Sequence, residues 1–230
     1  MSDLEAVRVL RTASGVPDVV VLPGLGALPY LRPLVRELAR HRTVAVLDVP
    51  GFRPGPDAPL PTSLPALGEV VYQWVRAHAP DALLLGHSTG AQLALHAAAL
   101  GAPLRGLALV STTFAPPVRT IPRAAAALLA GARHEPVHAL LENLPTYAFG
   151  GRHTLAFLRA GLTDDPAQVA GTVQLPALLV RGRHDRLSTT RWNERLRRIL
   201  GASLVELPGA HGVPHSAAVP LARLVLSYFA

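Results

Sequence analysis

A doubly wound, mostly parallel α/β sheet is the fold class that this 230-residue chain predicts. Three observations carry that reading. Short apolar runs alternate with helical patterns along the chain, the order expected of strands joined by crossover helices. The runs are apolar on both faces, as strands covered by helices on each side must be. The distinctive loops all fall at the carboxyl ends of those runs, where such sheets place their sites.

The strand candidates are Val19 to Leu22, Val44 to Leu47, Ala82 to Leu85, Leu107 to Val110, Leu178 to Val180 and Leu204 to Leu207. Helical patterns lie between them at about residues 29–40, 64–78, 89–100 and 190–200, with a last one at about 218–229. From Ala115 to Thr172 the rhythm breaks. This stretch is rich in alanine and leucine and is punctuated by Pro116, Pro117, Pro122, Pro136, Pro145 and Pro166, which predicts several short helices. The strand pattern resumes at Leu175. The expected layout is therefore one core, residues 1–114 and 173–230, with residues 115–172 inserted as a small helical lid.

Composition narrows the function classes. Half the residues are apolar and 16% are charged, ample for a core and unlike a disordered chain. The net charge is +7, and every basic side chain other than histidine is arginine. These arginines are scattered, and the one cluster, Arg191, Arg195, Arg197 and Arg198, has the spacing of a solvated helix face, so no nucleic-acid partner is expected. Without cysteine there is no disulfide, thiolate ligand or cysteine nucleophile. The acidic opening Met1-Ser2-Asp3-Leu4-Glu5 is unlike a secretory signal, and no apolar run spans a bilayer, so a cytoplasmic location is the default expectation.

The segment with most chemical content is Gly86-His87-Ser88-Thr89-Gly90, which follows the apolar run Leu83-Leu84-Leu85 and precedes the helical pattern from Ala91. A serine flanked in this way occupies a tight turn between strand and helix, and the glycines let neighbouring backbone pass close by. The helix N-terminus favours an anion forming beside it. The alternative is that Ser88 only caps the helix.

Leu85 to Ala91 resembles the nucleophile elbow of the α/β-hydrolase superfamily, and the likeness extends over nearly the whole chain. Leu22-Pro23-Gly24-Leu25-Gly26 resembles the family's oxyanion loop, with Pro23 where many relatives carry histidine. Asp48-Val49-Pro50-Gly51 resembles the turn after the next strand. The resemblance implies a nucleophile, an acid and a histidine in that chain order. Asp185, ending Gly182-Arg183-His184-Asp185, matches the acid, whereas Asp164 and Asp165 precede Pro166 like a helix start; an ordinary turn aspartate paired with Arg183 or Arg186 is the alternative. His211, in Leu207-Pro208-Gly209-Ala210-His211, matches the base, with His215 as its rival. The oxyanion amides implied are those of Leu25 and Thr89.

The expected activity is hydrolysis of a small to medium carboxylic ester or lactone through an acyl-enzyme, with no metal or other cofactor required. Phe114, Tyr147, Phe149 and Phe157 are the candidates for an acyl pocket, and Arg152, His153 and Arg159 read as solvated lid surface. Two other functions remain open on the sequence alone: a non-catalytic small-molecule receptor, and perhydrolysis or acyl transfer by the same three residues. Oligomeric state is not legible.

Overall fold

The computed structural model describes residues 7–49, 63–136 and 141–230. Seven strands form one sheet: β1 (Arg8–Arg11), β2 (Val19–Leu22), β3 (Val44–Asp48), β4 (Ala82–His87), β5 (Leu104–Val110), β6 (Ala177–Gly182) and β7 (Ser203–Leu207). Their order is β1-β3-β2-β4-β5-β6-β7, with β1 antiparallel to β3 and every other pair parallel. This is the doubly wound, mostly parallel sheet that the alternating pattern predicts. The antiparallel β1 is an addition to it. It is short, sits at the edge and leaves Leu10 half exposed, so it lacks the buried apolar run by which the other strands are recognised.

Strand periodicity divides the core into two layers. Val20 and Leu22 of β2, Leu84 of β4 and Leu179 of β6 face one layer, while Val19, Val21, Leu83, Leu85, Leu178 and Val180 face the other. The first layer is covered by α2 (Leu64–His78), α3 (Thr89–Ala99) and α7 (Thr190–Leu200); the second by α1 (Arg32–Ala39) and α9 (Ala218–Tyr228). With helices on both faces, the central strands are apolar along most of their length, with buried polar residues such as His87 and Arg181 toward their carboxyl ends. β7, at the other edge, is only partly buried.

Local chemistry sets the helix ends. The Ser63 hydroxyl accepts from the Ala66 amide to start α2, and Thr189 accepts from Trp192 to start α7. Gly201 closes α7 in the left-handed region, at φ 61°. Arg191, Arg195 and Arg198 lie exposed along α7 while Trp192 and Leu196 are buried, so the arginine cluster is a solvated face.

Between β5 and β6 the chain builds α4 (Ile121–Ala132), α5 (Leu144–Thr163) and the short α6 (Pro166–Ala170). The prolines predict several short helices here. α5 instead runs for 20 residues, interrupted at Gly151, whose φ of 46° and ψ of −118° break the helical path. Pro166 does open a helix, with Asp165 as its preceding residue. Asp164 turns away to pair with His96 of α3, 3.0 Å distant, and so ties the insertion to the helix behind Ser88. Among the described residues no helix is long and apolar enough to cross a membrane. Pro50 and Gly51 of the predicted turn after β3 lie outside the described residues.

Candidate active site

Ser88 stands at the junction of β4 and α3 with φ 58° and ψ −121°, backbone that an L-residue adopts only at a cost of about 1–3 kcal/mol. The surroundings hold it there. Its amide donates to the Val110 carbonyl at 2.9 Å, and its carbonyl accepts from the Ala91 amide at 3.0 Å. A methyl group on Gly86 would overlap the Gly90 carbonyl, and one on Gly90 would overlap the carbonyls of Leu22 and Pro23. The two glycines are therefore needed for strand, turn and oxyanion loop to pack this closely. Ser88 occupies the cap position of α3, yet its hydroxyl makes no capping hydrogen bond. That removes the helix-cap alternative.

The hydroxyl points instead to His211. Ser88 Oγ lies 2.9 Å from His211 Nε2, and His211 Nδ1 lies 3.0 Å from Asp185 Oδ2. The other carboxylate oxygen, Oδ1, accepts from the amides of Leu187 at 2.9 Å and Ser188 at 3.0 Å. Burial pushes the Asp185 pKa up, but the facing His211 and these hydrogen bonds outweigh it and hold the carboxyl below its ordinary range. An ionised Asp185 accepts a hydrogen bond from His211 Nδ1–H, which leaves Nε2 unprotonated and able to accept from the serine hydroxyl. Asp185 is buried and His211 remains partly accessible, so the imidazole edge can be reached from outside.

The position of Asp185 depends on Arg181, a buried arginine in β6 that is not among the sequence-predicted site residues. Its guanidinium donates to the carbonyls of Asp185, at 2.7 Å, and Ser188, at 2.8 Å, and pairs with Glu206 of β7. The signal was an arginine inside an otherwise apolar run. His215 does not compete with His211: it lines a separate surface cleft with Pro33, Arg36 and Glu37.

On the other side of Ser88, residues 24–26 form a single 3-10 turn with Leu25 at φ 47°. The Leu25 amide donates to Thr89 Oγ1 at 2.6 Å, which ties the two residues whose amides are implied for oxyanion binding to each other. Tyr30 and His87 organise this loop. The Gly24 amide donates to the Tyr30 hydroxyl at 2.7 Å, so the phenol proton goes to His87 Nδ1 at 2.6 Å, and His87 Nε2–H donates to the His211 carbonyl at 2.8 Å. Burial, and secondarily the neighbouring His211, lower the His87 pKa to about 3. A neutral His87 thus links the turn at residues 24–26 to the loop that carries His211.

The four pocket candidates separate. Phe114 packs with Ala124, Ala127, Leu162 and Leu187, where the insertion meets the sheet. Tyr147 packs, partly buried, against the second core layer, and desolvation pushes its hydroxyl up to about 12. Phe157 is fully enclosed in the main core, and Phe149 lies 69% exposed on the outer surface of α5. The interruption at Gly151 sets the two halves of α5 on different axes, which aromatic content alone does not reveal. Arg152 and Arg159 are exposed, as expected.

The model of the alpha/beta hydrolase family matches residues 19–224, almost the whole described core and insertion. The chain belongs to the α/β-hydrolase family. Among curated relatives of this α/β hydrolase is a pimeloyl-[acyl-carrier protein] methyl ester esterase of Xylella fastidiosa (strain M12), 40% identical over 81 residues. That match covers 35% of this chain and 30% of the relative, so it spans about a third of the relative's length. Among solved structures, the enol-lactonase of Burkholderia xenovorans LB400 superimposes with a TM-score of 0.78 at 22% identity, over 96% of this chain and 95% of its own. A thermophilic esterase of Thermogutta terrifontis does so with a TM-score of 0.79 at 16% identity, over 96% and 92%. At these identities the structural likeness shows the fold.

Proposed function

We propose that the protein is a serine hydrolase that cleaves small to medium carboxylic esters or lactones through an acyl-enzyme. The observation that carries this reading is the unbroken line from Ser88 Oγ to His211 Nε2, at 2.9 Å, and from His211 Nδ1 to Asp185 Oδ2, at 3.0 Å. In this mechanism Ser88 attacks the acyl carbonyl as its proton passes to His211 Nε2, and buried Asp185 stabilises the imidazolium. The amides of Leu25 and Thr89 hold the tetrahedral oxyanion, with the substrate oxygen replacing the Thr89 hydroxyl as the acceptor of the Leu25 N–H. His211 then gives its proton to the leaving alcohol, which departs with the bonding pair. Water, deprotonated by His211, attacks the acyl carbonyl; as the second tetrahedral intermediate collapses, the bond from Ser88 Oγ to the acyl carbon breaks, the His211 imidazolium gives its proton to Ser88 Oγ, and the acid is released.

Residues 115–172 act as a helical lid over a core made of residues 1–114 and 173–230. The choice of ester and lactone is supported by the names of the relatives, an esterase and an enol-lactonase. Phe114 and Tyr147 flank the acyl group in this reading; it is supported by Phe114 packing at the insertion's base and by Tyr147 lying near Tyr30, whose hydroxyl accepts from the Gly24 amide.

Incubation with a fluorophosphonate, followed by peptide mapping, tests the nucleophile, and initial rates with a panel of p-nitrophenyl esters and lactones test the substrate class. Labelling at Ser88, and turnover abolished in Ser88→Ala, are the expected results. Ester turnover that is unchanged in Ser88→Ala would sink the assignment. Hydrolysis absent from the wild type throughout the panel would favour a receptor built on this fold.

A further inference from the structure

The end of α4 descends onto the two loops that carry Asp185 and His211. A Cβ on Gly131 would stand 3.2 Å from Ala210 Cβ, so the helix packs directly on the base loop. The His134 ring stacks flat on His184, the neighbour of Asp185, with centroids 3.7 Å apart and planes 9° from parallel. Glu135 then places one carboxylate oxygen, Oε1, 2.7 Å from the Ala210 amide and 2.9 Å from the Gly212 amide. It accepts the backbone N–H groups on both sides of His211.

The second of these amides belongs to the peptide unit that joins His211 to Gly212. The carbonyl of the same unit accepts from His87 Nε2 at 2.8 Å. One peptide plane is therefore gripped at both ends, by a carboxylate from the insertion and by an imidazole from the elbow. With the Ala210 amide held as well, the backbone entering and leaving His211 is fixed on both sides of the ring that faces Ser88 and Asp185. A single carboxylate oxygen has lone pairs enough to accept both amides at once, which suits Glu135 to hold a loop with little secondary structure of its own.

We propose that Glu135 is a positioning residue for the base: it fixes the backbone of His211 and makes that alignment depend on docking of the inserted segment. The proposal rests on the reading of His211 as the general base. The insertion then does more than cover the site. When the end of α4 is seated, both amides are held and His211 lies in line; when it lifts, they lose their acceptor and the base loop is free to turn.

The test compares wild type, Glu135→Ala and Glu135→Gln. The glutamine keeps a carbonyl oxygen able to accept both amides, and the alanine removes it. With a p-nitrophenyl ester, Glu135→Ala is expected to lose about 10- to 100-fold in kcat, the scale of a misplaced catalytic group, with KM little changed. Glu135→Gln is expected to recover most of the rate. Amide hydrogen exchange by NMR supplies a readout independent of turnover: Ala210 and Gly212 are protected in wild type and Glu135→Gln and exchange faster in Glu135→Ala. If the alanine variant does not fold, Glu135→Asp, one methylene shorter, carries the same comparison. Wild-type kcat in Glu135→Ala, an equal loss in the glutamine and alanine variants, or unchanged exchange at both amides would each overturn the proposal. A wild type inactive on every ester would instead fault the hydrolase reading, and the exchange data would still decide whether Glu135 holds the loop.

Discussion

Replacement of Asp185 by asparagine tests the proton path most sharply, because the structure dictates how the new side chain must sit. Asp185 Oδ1 faces two amide donors, Leu187 N–H and Ser188 N–H, while Oδ2 faces His211 Nδ1. In Asp185→Asn the amide oxygen must keep the Oδ1 position, since an NH2 group there would confront two N–H donors. The NH2 group is thereby forced toward His211 Nδ1. His211 must then accept at Nδ1 and carry its proton on Nε2, aimed at Ser88. In that tautomer it cannot take the serine proton. The charge that stabilised the imidazolium is also gone. The expected loss in kcat is on the order of 10⁴-fold, or about 5.4 kcal/mol at 1.36 kcal/mol per factor of ten. The fold should survive, because the hydrogen bonds at Oδ1 and the guanidinium on the Asp185 carbonyl are retained. Steady-state hydrolysis of a p-nitrophenyl ester, with circular dichroism melting as a control, reads both effects. A folded Asp185→Asn enzyme within about tenfold of the wild-type kcat would refute the tautomer argument.

His87 makes stability depend on pH. Its folded pKa, about 3, lies below the unfolded value of about 6.5, so between these limits the unfolded chain binds the extra proton. Stability therefore falls as pH drops from about 6.5 toward 3, by up to about 1.4 kcal/mol per pH unit. Asp185 loses its contribution at lower pH, below the ordinary carboxylate range, because its pKa is depressed. Melting curves from pH 7 to 4 should show a shallower decline in His87→Gln than in wild type; parallel declines would exclude His87 as the cause. At the oxyanion loop, a Cβ on Gly24 would lie 2.8 Å from Ser88 Cβ and 2.9 Å from His87 Nδ1. Gly24→Ala is expected to displace the Leu25 amide and to cost about 10²- to 10³-fold in kcat, as loss of an oxyanion donor does. A wild-type rate in that variant, measured with the same ester, would count against the Leu25 amide as a donor.

Much of the arrangement of Ser88, His211 and Asp185 is legible in the sequence because it is written in short segments. Gly86 to Gly90 between an apolar run and a helical pattern describes a sharp strand-to-helix turn, and Asp185 and His211 follow the last two strands directly. Other parts are hidden. The sequence offers both His211 and His215 after β7, and only the course of the chain past Ala210 turns one ring into the site and the other toward α1. Phe149 and Phe157 read alike as aromatic residues of a helical insertion, yet one is outside and the other in the core.

The sequence by itself determined the alternation of strands and helices, the two-sided burial of the central strands and the elbow at Ser88. These follow from the periodicity of side chains along a strand or helix and from the steric freedom of glycine, which are properties of near neighbours in the chain. Tertiary structure alone decided which distant groups meet. Tyr30 reaches His87 across 57 positions, Glu135 reaches Ala210 across 75, and His87 reaches the His211 carbonyl across 124. None of these contacts has a local pattern to announce it, because a hydrogen bond between loops is chosen by how the sheet and the insertion bring their ends together. The segments that carry the chemistry are local; the contacts that hold them in register are not.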